Sequence, residues 1–279
     1  MKNSALNKFW KFSNPVLFKK LAKIISPLAG LIAVLAIIPG LVWGVFFTGP
    51  DYKQLETVKI IFIHVPAAFL AINVYLMMTV ASIVWLIRRQ YVSALAAKSS
   101  AMIGLIMTIA TIITGSLWGS STWGTYWVWD PRLTSFAVLL CFYVGYIILW
   151  SAIRPLERAA NVTSLFCILG SVFALLSRYI VFFIDQGLHQ GPTLSLDEEK
   201  NIDDSYYFPL ILALVGFSSL FVYLLLVRTT TELNKLKLKL MGKSGTNVSN
   251  FWEVFFCNHC ILCEHNCSYI SPDNTNLNF

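Results

Sequence analysis

Six apolar stretches, at about 25–47, 60–87, 100–118, 133–151, 161–184 and 207–227, run through this chain of 279 residues. Each is close to or above the roughly 20 apolar residues that a helix needs to cross a bilayer. The hydrocarbon offers no water to a backbone amide, so a crossing segment must satisfy its own hydrogen bonds. The expected fold class is therefore an all-α polytopic membrane protein with six transmembrane helices. Only 13% of the residues are charged and 57% are hydrophobic, against about 25% charged in ordinary soluble chains. A soluble domain is excluded. The formal charge of +7 could suggest nucleic acid, but the basic residues bracket the spans. Anionic lipid and membrane orientation account for them more simply.

Orientation follows from the loops. Sixteen Lys and Arg residues lie before the first span, between spans two and three, between four and five, and after the sixth. Four (Lys53, Lys59, Arg132 and Lys200) lie on the other side. The positive-inside rule then places both termini in the cytoplasm and the loops at 48–59, 118–135 and 185–206 outside. The first span is too long for a cleavable signal and lacks a small-residue cleavage site. Three regions result: a basic lead-in over 1–24, a six-helix membrane domain over 25–228, and a cytoplasmic tail over 229–279. Pro27 reads as a first-turn proline and Pro39 as a kink in the first span, and Pro66 reads as an early-turn proline in the second.

The densest chemistry sits in the loop after the third span. Trp118, Trp123, Trp127 and Trp129 fall within twelve residues, Tyr126 joins them, and Asp130-Pro131-Arg132 closes the run. Trp and Tyr carry large flat apolar faces with one polar tip. Gathered in one loop, they suit a large planar ligand at a membrane surface, although interfacial belts also use these residues. A helical segment would put Trp123 and Trp127 on one face, and an extended one would pair Trp127 with Trp129. Asp130 and Pro131 read either as the N-cap and first residue of the fourth span or as part of a site. Arg132 reads as an interfacial anchor or as a partner for a carboxylate.

The run Trp123-Gly-Thr-Tyr-Trp-Val-Trp-Asp130 resembles the tryptophan-rich signature of haem-handling membrane proteins in cytochrome c maturation. Trp118-Gly119, Arg132-Leu133-Thr134-Ser135, His64-Val65-Pro66 and Leu188-His189-Gln190-Gly191 narrow the resemblance to the haem exporter protein C (CcmC) family, over roughly residues 25 to 228. Two positions depart from the pattern: Tyr126 where a further Trp is usual, and Pro131 where a small residue is usual. The resemblance implies a haem-binding and delivery protein of a bacterial inner membrane, not an enzyme, that presents haem at the periplasmic face. It implies three kinds of partner: a CcmE-like haem chaperone, CcmA/CcmB-like ABC transporter subunits and a CcmD-like small adaptor. The alternative is a haem or solute permease subunit of an ABC-type exporter.

Neutral imidazole is an axial ligand for haem iron, and ionisable residues within membranes are functional by default. His64, near the outer end of the second span, and His189, in a Gly- and Pro-shaped loop, are the two histidines before residue 250. With the Trp loop between them they make a bis-histidine site for transient haem b. Arg178, inside the fifth span, needs a partner; Asp130, Asp185 and a haem propionate are the candidates. Cys141 and Cys167 read as small apolar packers. In the tail, Cys257, Cys260, Cys263 and Cys267 have ferredoxin-like spacing but lack the proline and the second motif that a cluster would have. Zinc, or no metal at all, are the alternatives. The Gly242-Lys-Ser segment is not a phosphate loop, because Lys237 stands where the first glycine belongs.

Reporter fusions test the topology. A fusion at Ser120 or Gln190 should be active only outside the cytoplasm, and one at the C-terminus only inside; a C-terminal reporter active outside would overturn the orientation.

Overall fold

The computed structural model describes residues 14–51, 54–183 and 203–242. His189, Asp185 and the cysteine-rich run at 257–267 lie outside the described residues. Six helices, labelled here α1 to α6, make up the rest: α1 Pro15–Val42, α2 Ile61–Arg88, α3 Tyr91–Trp123, α4 Pro131–Ala152, α5 Leu156–Phe183 and α6 Asp204–Gly242. All six are long and apolar enough to cross a membrane. A π-helical turn, Trp43–Phe47, finishes α1, and a 3₁₀ turn, Glu56–Ile60, leads directly into α2.

The helices overrun the apolar stretches, and local chemistry explains where each stops. Asn14 caps α1 by accepting the Val16 amide at 2.8 Å, with Pro15 as first helical residue. That cap starts the helix ten residues before the apolar stretch. Pro27 and Pro39 therefore both stand in its interior. Pro66 is likewise interior, because the 3₁₀ turn supplies helical geometry upstream of α2. At the other end of the chain, α6 runs 39 residues, about 58 Å at 1.5 Å per residue. The Leu/Lys segment after residue 228 thus continues the helix. Leu233 is buried within it, and Glu232 accepts Lys98 of α3 at 2.5 Å.

Packing sets α2 and α3 at the centre. Besides packing on each other, α2 meets α5 and α6, and α3 meets α4 and α6; α4 packs on α5, and α1 packs chiefly on α6. The α1–α6 contact is close because Gly40 and Gly216 face it. A Cβ on Gly40 would lie 2.9 Å from the Ala213 nitrogen, and one on Gly216 2.7 Å from the Ile37 nitrogen. Without a solvent-driven hydrophobic force in lipid, such backbone approach supplies the van der Waals contact that joins helices. The central core is aromatic. Tyr75 and Tyr143 meet edge-on at 5.0 Å, and the Tyr143 hydroxyl donates to the Ala71 carbonyl at 2.8 Å. At one end of the bundle, Trp85 and Arg89 share Asn161 of α5, and Tyr91 donates to Glu157. The opposite end holds the candidate site.

Candidate functional site

That opposite end gathers the close of α1, the starts of α2, α4 and α6, and the close of α3. Tyr206 of α6 donates to the Gly49 carbonyl at 2.7 Å and packs on Phe62 of α2. His64 lies in the first turn of α2, half-buried against α3. Its Nδ1 is 2.9 Å from the Thr114 hydroxyl. Gly115 makes the approach possible, since a Cβ there would sit 3.1 Å from His64 Cε1. Trp118 follows Thr114 by four residues, on the same helix face about 6 Å further along the axis. His64 therefore packs on α3 one turn before Trp118, the first tryptophan of the run.

The loop is helical first and extended afterwards. The helix α3 continues through Trp118 and ends at Trp123, where Gly124 takes a left-handed φ of +74°. A residue with a side chain is strained there, and glycine is the usual terminator. Trp123 and Trp127 thus do not share a helical face. Instead the indoles form two edge-to-face pairs. Trp118 meets Trp123 at 5.2 Å and 83°, and Trp127 meets Trp129 at 5.6 Å and 79°. The second pairing is the i, i+2 pattern of extended chain. Trp129 is 80% exposed and Tyr126 65%, so their apolar faces meet whatever surrounds the protein. The Trp127 indole nitrogen is buried with no hydrogen-bond partner among the described residues.

Gln54 is a member of the site that sequence spacing does not reveal. Its side-chain oxygen accepts the Trp118 indole N–H at 2.9 Å, and its backbone N–H donates to the Asp51 carboxylate at 2.8 Å. One polar residue in the loop before α2 therefore fixes the tryptophan that ends the transmembrane part of α3. Nothing in the local sequence pairs residues 54 and 118.

Asp130 is the N-cap of α4. Its carboxylate is buried and accepts the Leu133 amide at 2.6 Å, with Pro131 as first helical residue. The capping reading of this pair holds, and it gives Pro131 its place. Arg132, half-buried, sits within electrostatic reach of both Asp130 and Arg178. The α4–α5 contact that brings the two arginines together is marked by Ser177, whose hydroxyl donates to Ser135 at 2.9 Å. Arg178 itself is exposed on α5. Among the described residues, Asp130 is the single carboxylate acting on Arg132, against two guanidinium groups. His189 lies outside the described residues, but α5 and α6, which precede and follow it, both terminate at this end.

The donor set fits an amphiphilic planar anion. Among the described residues, an exposed indole offers an apolar face, a buried indole N–H has no acceptor, and two guanidinium groups stand near one carboxylate. The imidazole of His64, held against Thr114, is of the residue type that could ligate a metal. Among the described residues no cluster of three His, Cys, Asp or Glu side chains could hold a bare metal ion.

Comparison with known proteins points the same way. Residues 8–242 match the family described as Heme exporter protein C. The chain is 54% identical over 230 residues to a Heme exporter protein C of Rhodobacter capsulatus, an alignment covering 82% of this chain and 95% of that protein. It is 52% identical over 229 residues to one from Paracoccus denitrificans, with the same coverage. A Heme exporter protein C of Escherichia coli K12 is 36% identical over 202 residues, 72% of this chain and 81% of that protein.

The bond between Gln54 and Trp118 carries its own prediction. Gln54→Leu removes the acceptor of a half-buried indole N–H, at a cost of about 0.5–1.5 kcal/mol. Hydrogen exchange should accelerate at the Trp118 indole and in the amides of 54–59, while the α2–α3 core around Tyr143 keeps its protection. Unchanged exchange at Trp118 would show that Gln54 does not hold it.

Proposed function

The chain belongs to the Heme exporter protein C family, and from that membership we propose that it binds haem at the Trp-loop end of the bundle and passes it on during cytochrome c maturation. The observation that carries the reading is the convergence of His64, the four tryptophans and two arginines at one end of six membrane-spanning helices. A multi-pass protein of the bacterial inner membrane, with this end facing the periplasm, suits the distribution of basic residues.

Haem is the cargo, and when bound it would supply an iron that takes imidazole ligands and propionates that need cations. His64 and His189 would hold the iron of transiently bound haem b from opposite faces. Trp123, Trp127 and Trp129 would cover the macrocycle's apolar edge, and burying that surface contributes on the order of 25 cal/mol per Å². Trp118 anchors the loop through Gln54. Arg132 and Arg178 would pair with propionates, which are costly to desolvate alone, and the Trp127 N–H is a further donor to them. Asp130 serves indirectly, by starting α4 where Arg132 is needed. The role is that of a carrier and not of an enzyme. An exposed Trp129 leaves one edge of the site open to an accepting chaperone of the CcmE kind. The ABC transporter subunits (CcmA/CcmB-like) and a small adaptor (CcmD-like) would be membrane neighbours.

The relatives' word "exporter" keeps a second reading in view, a permease subunit of an ABC-type exporter. The described bundle argues against a polar route through it. The buried hydroxyls of Thr79, Thr108 and Thr163 donate to carbonyls one turn earlier in their own helices, at 2.7–3.0 Å. These three serve the helix backbone.

Purified protein should carry a haem Soret band of low-spin, six-coordinate type. His64→Ala or His189→Ala should convert it to five-coordinate haem or lose it, and should halt maturation of c-type cytochromes. Trp127→Ala should weaken haem retention while leaving a residual bis-histidine spectrum. A double His64→Ala, His189→Ala variant with normal spectrum and normal cytochrome c assembly would refute the reading.

A further inference from the structure

We propose that Thr114 is a positioning residue that fixes the tautomer of His64, so that Nε2 carries the lone pair a metal requires. The inference deepens the haem-ligation reading above and rests on it for its functional consequence. The tautomer itself is a property of the protein without haem.

A threonine hydroxyl has one proton to donate and lone pairs to accept with. The Thr114 oxygen lies 2.6 Å from the Ala110 carbonyl and 3.2 Å from that of Thr111. Two oxygens at 2.6 Å repel unless a proton lies between them, and a carbonyl has none to give. The hydroxyl proton therefore points at Ala110. The same oxygen is 2.9 Å from His64 Nδ1. With its only proton spent on Ala110, it can meet Nδ1 solely as an acceptor, so Nδ1 carries the imidazole proton. A neutral ring then has its lone pair on Nε2, the nitrogen pointing away from Thr114. Which ring nitrogen ligates a metal is set by the bond the other one makes.

Two further features hold the ring. Gly115 clears the space beside Cε1, and any Cβ there would press on the ring at 3.1 Å. The helical backbone of α3 fixes the Thr114 oxygen, because its proton goes to its own helix. A hydroxyl in this role suits a protein that must release its cargo. A carboxylate on Nδ1 would raise the ring's basicity and tighten ligation, whereas a neutral hydroxyl orients the ring without adding charge.

The test separates tautomer from ligation. Haem-free full-length protein labelled with ¹⁵N-histidine is compared as wild type, Thr114→Val and Thr114→Ser, with the His64 signal assigned by its loss in His64→Ala. Wild type and Thr114→Ser should show the Nδ1–H form of His64. Thr114→Val, which has the same shape without the hydroxyl, should show a mixture of tautomers. Loaded with haem, the Val variant should bind about 10-fold more weakly or worse, the effect typical of losing a partner behind a metal-bound histidine, and the Ser variant should recover. An unchanged tautomer in Thr114→Val, or an Nε2–H form in wild type, overturns the inference. If instead the tautomers behave as stated but His64→Ala keeps its low-spin spectrum, the ligation reading fails while the assignment of Thr114 stands.

Discussion

A backbone amide in hydrocarbon has nothing to bond to except its own chain, and this constraint dictates where the protein can keep its chemistry. Helices answer the constraint along the length of each span, and the buried threonines Thr79, Thr108 and Thr163 spend their hydroxyl protons on helix carbonyls. Polar function is therefore driven to the helix ends, where capping groups and loops are needed in any case. The Trp-loop end shows the result. Asp130 caps α4, Gly124 closes α3, and Gln54 holds the indole of Trp118. Structural necessities at three helix ends thus become the frame of a site.

Electrostatics give that site its preference. Arg132 and Arg178 are drawn together by the packing of α4 on α5, with Asp130 as neighbouring anion. Two guanidinium groups near a low-dielectric wall favour a ligand that returns negative charge, and guanidinium pairs carboxylates in a bidentate fashion. Edge-to-face indole pairs, with one ring 80% exposed, favour a ligand that also presents an apolar edge. A porphyrin with two propionates would combine both demands, and the imidazole of His64 is of the type that ligates haem iron.

Much of this was legible in the sequence because it depends on local pattern. The six spans follow from residue type over about 20 positions, and all six appear as helices. Asp130-Pro131 could be recognised as a cap since N-cap chemistry is confined to neighbouring residues. Helix ends were less legible: α1 starts at an Asn14 cap outside the apolar stretch, and α6 continues well past it. Hydropathy marks where lipid begins, not where a helix stops. The two bonds that orient the site, Gln54 to Trp118 and Thr114 to His64, join residues 64 and 50 positions apart. No spacing rule connects such pairs; only the packing of the 48–59 loop and α2 against α3 does. Likewise the loop's mixed conformation depended on one left-handed glycine, Gly124, which the run of aromatics concealed.

The claim that this end of the bundle grips haem between two imidazoles is most directly tested by electron paramagnetic resonance and near-infrared magnetic circular dichroism of the purified, haem-loaded protein in its ferric state. The account predicts a low-spin signal with the charge-transfer band of paired nitrogen ligands. A high-spin signal, or a low-spin one with the band of a sulfur ligand, would contradict it.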